Sequence, residues 1–380
     1  MSDSRNEQRN SAIDVLRGWA VLVVILLHLN IRVHFDDCAL GKWLPKPLFS
    51  FLFWSGYQGV IVFFVVSGFL ITRRSIARWG TLDRVALGPF YRLRFARIAP
   101  MLALFVLVQS LLQSAHVTGF SDEHPAASLP RSIFAAFTFH LNWLEAKVGY
   151  LPGAWDVLWS LSVEELFYLG FPLIVRFVRW QLALYLALFA FVAMGPFARV
   201  SPHSNEIWQD HSYLSCMGEI AMGCLAASLT ARRAPSQRAA FVLLVAGAGL
   251  VLFVCYFRSA VNALGLYRSG LYVTVLSVGT AAVLVAVAAV PSCTRMTDHA
   301  LFAPLRVLGE HSYEIYLSHL FVILPAMPVW KRFAAPSLIP PFYLAVLVGS
   351  ALLGALLAKA YSKPLNAALR ARRNQPTPVA

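Results

Sequence analysis

The sequence predicts an all-α integral membrane protein, a polytopic bundle of about ten transmembrane helices. Hydrophobic residues make up 58% of the 380 residues and charged residues only 13%. The apolar residues fall into blocks long enough to cross about 30 Å of hydrocarbon at about 1.5 Å per helical residue. The connectors between these blocks are short and marked by Pro, Gly, Ser and charged residues, so none is expected to fold as a separate soluble domain.

Ten apolar blocks are the predicted spans. A shorter apolar piece at 132–144 is too short to cross, and we expect a re-entrant or interfacial helix there. In chain order, the spans are predicted near residues 12–32, 54–72, 98–115, 157–178, 181–200, 211–230, 239–257, 269–290, 306–328 and 341–360.

The distribution of basic residues predicts that both termini are cytoplasmic. With ten spans, 22 of the 32 Lys and Arg residues lie on the inner side, as the positive-inside rule requires. If the piece at 132–144 crossed, Arg232, Arg233 and the basic C-terminus would lie outside. We therefore predict an N-terminal tail at 1–11, one membrane domain at 12–360 and a C-terminal tail at 361–380.

Overall composition excludes several classes of function. The net charge of +14 follows from topology and attraction to anionic lipids, and no basic domain stands clear of the membrane to bind nucleic acid. The five cysteines show neither a CxxC motif nor metal-ligand spacing, so we expect no disulfide framework and no metal site.

Two adjacent carboxylates, Glu164 and Glu165, interrupt the apolar run from Trp159 to Tyr168. A carboxylate in hydrocarbon costs several kcal/mol unless it is paired, protonated or facing a cavity. This pair therefore predicts a polar site inside the bundle, and a structural ion pair is the alternative. Because the span is expected to begin near residue 157, the pair is predicted at the depth of His28.

The first span carries Arg17 and His28, which are eleven residues apart. That spacing places them on one helix face about 16 Å apart. Imidazole is the side chain best suited to moving a proton near neutral pH, and an interhelical hydrogen bond is the alternative role for His28. Asp14, one turn before Arg17, is expected to be its structural partner near the inner face.

A dense basic stretch follows the second span. Arg92, Arg94 and Arg97 lie close together before the third span, and Arg73 begins the same connector. Guanidinium groups in such an array suit phosphate oxygens, whereas contact with lipid headgroups is the alternative. Ser67 lies nearby beside Gly68, where close helix packing explains it better than nucleophilic chemistry.

A last polar stripe runs from Gly309 to His319. A buried hydrogen-bond network between helices explains its tyrosines, including Tyr316, without chemistry. His319 lies deeper in the predicted span and is the candidate for a supporting role.

Taken in order, these motifs resemble the signatures of the acyltransferase family 3 membrane proteins over residues 12 to about 360. Each motif alone is weak, but the ordered set is specific. The motifs are Asp14-x-x-Arg17-Gly18 followed by His28, Gly59-Val-x-x-Phe-Phe-Val-x-Ser-Gly-Phe-Leu-Ile-Thr72, Arg94-x-x-Arg97-Ile-x-Pro100, Trp159-Ser-Leu-Ser-Val-Glu-Glu-x-Phe-Tyr168 and Ser312-Tyr-x-Ile-Tyr-Leu-x-His319.

The resemblance implies a bacterial inner-membrane enzyme that moves an acyl group, most often acetyl, from cytoplasmic acyl-CoA to a hydroxyl of a glycan or related acceptor. Acyl-CoA would be a co-substrate, with no tightly bound cofactor. The family's essential histidine falls on His28, its paired basic residue on Arg17, its RxxR motif on Arg94 and Arg97, and its acidic residue on Glu164.

The chain departs from the family pattern at Ile61 and Leu166, where many relatives have an acidic residue and a glutamine. Its last predicted span is followed by about twenty residues, so we expect the stand-alone form, without the SGNH-type domain of some relatives. These departures leave the acceptor open among lipopolysaccharide O-antigen, exopolysaccharide, another glycan and a small metabolite. Acetyl and slightly longer donors are equally compatible.

The predicted mechanism places the CoA phosphates on the arginines and the thioester near His28. His28 acts as general base or transiently accepts the acyl group, while Glu164 orients the imidazole. Glu165, Ser67, Tyr168, Tyr316 and His319 are candidate supporting residues. The rival function is a proton-coupled transporter or flippase for an anionic or lipid-linked substrate, and a membrane scaffold or sensor is a third.

Overall fold

The computed structural model describes residues 10–121, 127–178, 180–290 and 295–371, and within these ranges it contains helices and no β-strand. This confirms the all-α prediction. The first nine helices are α1 (Ser11–Asn30), α2 (Ala39–Trp43), α3 (Lys46–Phe53), α4 (Gly56–Trp79), α5 (Leu87–Ser114), α6 (Leu129–Phe137), α7 (Leu141–Val148), α8 (Leu158–Phe177) and α9 (Gln181–Arg199).

The second half of the chain continues the same pattern of long and short helices. They are α10 (Glu206–His211), α11 (Tyr213–Arg232), α12 (Gln237–Tyr256), α13 (Arg258–Ala263), α14 (Leu271–Ala289), α15 (Ala303–Glu310), α16 (Ser312–Ser318), α17 (Leu320–Phe333), α18 (Ile339–Leu357) and α19 (Lys363–Ala371).

Nine helical segments in the described ranges are long and apolar enough to cross a membrane, and each overlaps a predicted span. The protein is therefore an integral membrane protein. The ninth predicted span, at 306–328, is not one continuous helix, because it is divided among α15, α16 and α17. The breaks fall at His311 and His319, where polar residues interrupt the apolar run, and Pro325 and Pro328 lie inside α17.

The region predicted to be re-entrant, 132–144, forms parts of α6 and α7. These helices have nine and eight residues. At about 1.5 Å per residue neither approaches the thickness of the hydrocarbon core. They are therefore not spans, as the sequence indicated. The predicted inward placement of both termini stays a prediction, and most of the tails, 1–9 and 372–380, lie outside the described residues.

Close helix packing fixes the centre of the bundle. A Cβ on Gly68 of α4 would collide with the carbonyl oxygen of Ile220 on α11, and a Cβ on Gly223 would collide with that of Val65. Reciprocal glycines of this kind let two helix backbones approach directly. The small-residue notch predicted beside Ser67 is thus occupied by α11, while Ser67 itself points to a different neighbour.

Candidate functional site

Three side chains from separate parts of the chain meet near one end of the bundle. His28 lies near the end of α1, His319 lies at the junction of α16 and α17, and Asp156 lies in a 3₁₀ turn just before α8. The Nδ1 atom of His28 is 3.2 Å from Nε2 of His319, and Nε2 of His28 is 3.9 Å from Oδ2 of Asp156. We call these three residues the histidine cluster.

Backbone carbonyls determine which ring nitrogen of each histidine carries hydrogen. His28 Nδ1 donates to the Val24 carbonyl at 2.9 Å, and His319 Nδ1 donates to the Tyr316 carbonyl at 2.7 Å. A carbonyl oxygen can only accept, so each Nδ1 must carry the hydrogen. The Nε2 of neutral His319 is then an acceptor for the His28 N–H, and Nε2 of neutral His28 keeps a free lone pair.

That lone pair makes His28 a competent base. At 3.9 Å, Asp156 is beyond the 2.7–3.2 Å of a direct hydrogen bond. The carboxylate therefore leaves Nε2 of His28 available. After His28 takes a proton, the same carboxylate would stabilise the cationic ring by charge attraction. The predicted involvement of His28 and His319 in one site thus has a concrete geometry.

Glu164 does not orient His28 in this structure, contrary to the sequence-based expectation. The carboxylate beside His28 is Asp156, eight residues earlier, which is about 12 Å along a helix axis. The expectation was wrong because α8 is preceded by the 3₁₀ turn Trp155–Val157. That turn brings a residue from the predicted connector to His28, whereas Glu164 binds Arg94, Ser67 and Tyr168.

Glu164 belongs instead to a second group, the arginine cluster, consisting of Arg94, Glu164, Glu165, Ser67 and Tyr168. Nη2 of Arg94 donates to Glu164 at 3.0 Å and to Glu165 at 3.1 Å, and its guanidinium lies 3.4 Å from the Tyr168 ring centroid. Glu164 also accepts from Tyr168 at 2.9 Å and from Ser67. The two adjacent glutamates thus share one arginine, although they point in different directions from the helix.

The other arginines predicted to bind the donor lie in different environments. Arg97 donates to Glu314 at 3.4 Å, lies over the Tyr313 ring and keeps 32% of its side chain exposed. The Nε atom of Arg92 is buried without a hydrogen-bond partner. Arg73 lies near the Phe69 ring. Their role in donor binding stays a prediction.

Arg17 lies 3.9 Å from Asp14, as expected for residues one turn apart. Tyr316, a predicted supporting residue, binds near the histidine cluster. Its hydroxyl is 2.7 Å from the Ser160 hydroxyl and donates to the Val157 carbonyl at 3.2 Å. It therefore ties the segment that carries His319 to the start of α8, next to Asp156.

The sequence did not indicate Asp156 of the histidine cluster or two residues beside it. Asp156 lies just outside the predicted span, where an acidic residue directly before an apolar run was the available signal. Glu145 on α7 and His211 at the end of α10 are buried beside it, and one potential ligand atom from each of these three residues lies within 4.8 Å of the others. Burial raises the pKa of the Glu145 carboxyl well above its ordinary value.

Comparison with known proteins matches nearly the whole described chain to one family. A family model described as an acyltransferase domain covers residues 10–359. The chain is 28% identical over 339 residues to the peptidoglycan O-acetyltransferase OatA of Listeria monocytogenes, covering 84% of this chain and 50% of that relative. It is 26% identical over 334 residues to the O-acetyltransferase OatA of Staphylococcus aureus, covering 82% and 50%.

A further relative is the putative peptidoglycan O-acetyltransferase YrhL of Bacillus subtilis, 28% identical over 345 residues, covering 83% of this chain and 49% of that protein. The chain thus spans about half the length of these relatives. No solved structure matches it.

Proposed function

We propose, from the premise that the chain belongs to acyltransferase family 3, that it is a membrane O-acetyltransferase using acyl-CoA as donor and a glycan hydroxyl as acceptor. The observation that carries the proposal is the free lone pair on Nε2 of His28. Because Nδ1 carries the ring hydrogen, Nε2 of the neutral ring is unprotonated, and it lies beside Asp156. A base in this state can accept a proton from a hydroxyl as that hydroxyl attacks an acyl carbon.

The reaction balances with His28 as the proton carrier. The acceptor oxygen forms a bond to the thioester carbonyl carbon while its proton moves to Nε2 of His28. The C–S bond then breaks, and CoA leaves as a thiolate that takes the proton back. Asp156 stabilises the transient imidazolium, and His319 holds the ring by accepting from Nδ1. Transient acylation of His28 is the alternative route, and base catalysis requires one covalent step fewer.

Donor binding is assigned to the arginines around the start of α5. Arg97 combines partial exposure with a fixed position on Tyr313 and Glu314, and its guanidinium would bind a CoA phosphate. His319 lies five residues after Glu314, about 8 Å along a helix. The segment 312–319 thus connects the donor-binding arginine to the histidine cluster. Arg94 is less available, because two carboxylates already bind it.

Peptidoglycan is the first acceptor to test, because the Listeria OatA is named as a peptidoglycan O-acetyltransferase. Lipopolysaccharide and exopolysaccharide follow. This choice concerns the acceptor only, and the chemistry at His28 is the same for each hydroxyl. Placement in a bacterial inner membrane, with the arginines facing cytoplasmic acyl-CoA, is part of the proposal.

The test reconstitutes the purified chain in liposomes with acetyl-CoA labelled in the acetyl group and with each glycan in turn. Transfer of label to glycan ester that is released by mild base supports the proposal. If no glycan takes up label while the liposomes show proton-coupled movement of an anionic or lipid-linked solute, the transporter function is correct instead.

A further inference from the structure

We propose that Glu145, Asp156 and His211 form a binding site for one divalent transition-metal ion beside the histidine cluster. One ligand atom from each residue lies within 4.8 Å of the other two. The sequence predicted no metal site, because these ligands come from α7, the turn before α8 and the end of α10. No short spacing motif links three such segments.

Unpartnered buried atoms are the observation that points to a ligand. Glu145 has no exposed surface and His211 is 7% exposed, yet Glu145 Oε2 and His211 Nδ1 have no hydrogen-bond partner among the described residues. Asp156 Oδ1 is also buried without a partner, whereas its other oxygen is the one near His28. Leaving a buried polar group unpaired costs about 1–3 kcal/mol, and more for a charged one. Each of the three clustered residues thus has a buried atom that a bound ion could pair.

The two acidic residues at this position also suit a cation. Two carboxylates lie within 4.8 Å of each other. Within 10–121, 127–178, 180–290 and 295–371, no lysine or arginine forms an ion pair with either of them. The Glu145 carboxyl accepts a hydrogen bond from the Leu151 N–H at 3.3 Å through Oε1. A divalent ion would compensate the charge of both carboxylates when it binds them in the ionised form.

The donor set favours a transition metal over Mg²⁺ or Ca²⁺. One imidazole nitrogen with two carboxylates is a typical protein ligand set for zinc and manganese, whereas Mg²⁺ and Ca²⁺ prefer oxygen ligands alone. The imidazole is also held in place: the His211 ring stacks on Trp159 with centroids 3.9 Å apart and planes inclined by 4°. Asn142 donates to the His211 carbonyl at 2.9 Å, which fixes α10 against α7.

Asp156 would then link the ion to the proposed base. Its Oδ2 lies near His28, and its Oδ1 is the free atom. A metal on Oδ1 would fix the orientation of the carboxylate that faces His28. In many metal sites a ligand and its hydrogen-bonded neighbour orient each other in this way. The inference about metal binding does not depend on acyl transfer, because the ligand geometry stands without it.

The test titrates the full chain, purified in detergent with a tag that contains no histidine and stripped with chelator, with Zn²⁺ and with Mn²⁺. Calorimetry and elemental analysis should show one equivalent bound. Glu145→Gln and His211→Gln should each weaken binding by about tenfold to a hundredfold or more. The matched controls Glu206→Gln and His203→Gln, which change exposed residues of the same types, should bind as the wild type does.

X-ray absorption of the zinc-loaded wild-type chain gives a second measurement that needs no variant. It should show one imidazole nitrogen and otherwise oxygen ligands, at about 2.0–2.2 Å. The inference would be overturned if the wild type bound neither ion or if the metal ligands included sulfur. Unchanged binding in folded His211→Gln protein would also overturn it. Binding of Mg²⁺ or Ca²⁺ in place of Zn²⁺ and Mn²⁺ would equally contradict the assigned class of metal. None of these readouts measures transfer, so their failure is distinct from failure of the proposed function.

Discussion

Two polar regions of this bundle use carboxylates from the same stretch of chain in opposite ways. In the arginine cluster, Glu164 and Glu165 both bind Arg94 at about hydrogen-bond distance. In the histidine cluster, Asp156 stands 3.9 Å from His28 and keeps one oxygen without a partner. The first region pairs its carboxylates with a guanidinium, whereas in the second the carboxylate beside the histidine has no arginine or lysine paired with it in the part of the chain that the structure describes.

The difference separates structural from chemical roles. A half-buried arginine that two carboxylates and an aromatic ring already surround has little capacity left for a substrate. An imidazole with a free lone pair and a carboxylate just beyond contact is suited to a proton that comes and goes. A charged residue inside a membrane protein is therefore informative only once its partners are known.

The largest effect is expected from removing the base. His28→Ala should lower acetyl transfer by about 10²–10⁴-fold, the usual contribution of a general base. The measurement is labelled acetyl transfer per mole of folded protein in liposomes. His34→Ala, which removes an exposed histidine shortly after α1, should retain wild-type transfer. Full activity of His28→Ala would refute the assignment of the base.

The next largest effect concerns stability. Arg94→Met should destabilise the bundle by about 3–5 kcal/mol, because it leaves the buried Glu165 and the half-buried Glu164 without their cation. Thermal unfolding in detergent would show the loss as a lower melting temperature. The control, Arg78→Met, changes an exposed arginine on α4 and should leave the melting temperature nearly unchanged. Equal melting temperatures for the two variants would mean that the arginine cluster is not structural.

A smaller effect is expected at the partly exposed arginine. Arg97→Gln should raise the KM for acetyl-CoA about two- to fivefold with little change in kcat, since a partly solvated charge contributes only about 0.5–1 kcal/mol. Steady-state transfer at varied acetyl-CoA gives both constants, with Arg78→Gln as control. A fall in kcat at unchanged KM would place Arg97 elsewhere in the reaction.

The sequence predicted the all-α membrane fold well, because hydropathy and length determine where helices can cross. It also singled out His28, His319 and Arg94, which the structure places in polar clusters, and the role of each stays a prediction. It did not predict that 306–328 would be divided into short helices, because hydropathy averages over polar breaks such as His311 and His319.

The prediction from the sequence also paired His28 with the wrong carboxylate, Glu164. Depth was judged from where the apolar run begins, and the 3₁₀ turn at Trp155–Val157 brings Asp156 to the histidine instead. Glu145 and His211 could not be associated with Asp156 by spacing, since tertiary packing alone unites α7, α8 and α10. Contacts between segments that are far apart in the chain cannot be predicted from the spacing of residues in one sequence.

The most direct test asks which carboxylate acts with His28. Acetyl transfer per folded protein is measured for Asp156→Asn and Glu164→Gln in the same assay, and the melting temperature of each variant is recorded. The account predicts that Asp156→Asn slows transfer at least about tenfold, as expected when a charge near a cationic ring is removed, with a modest change in melting temperature. Glu164→Gln should lower the melting temperature clearly, and it should have only a small effect on transfer per folded protein. Wild-type transfer by Asp156→Asn, together with lost transfer by stable Glu164→Gln protein, would contradict it.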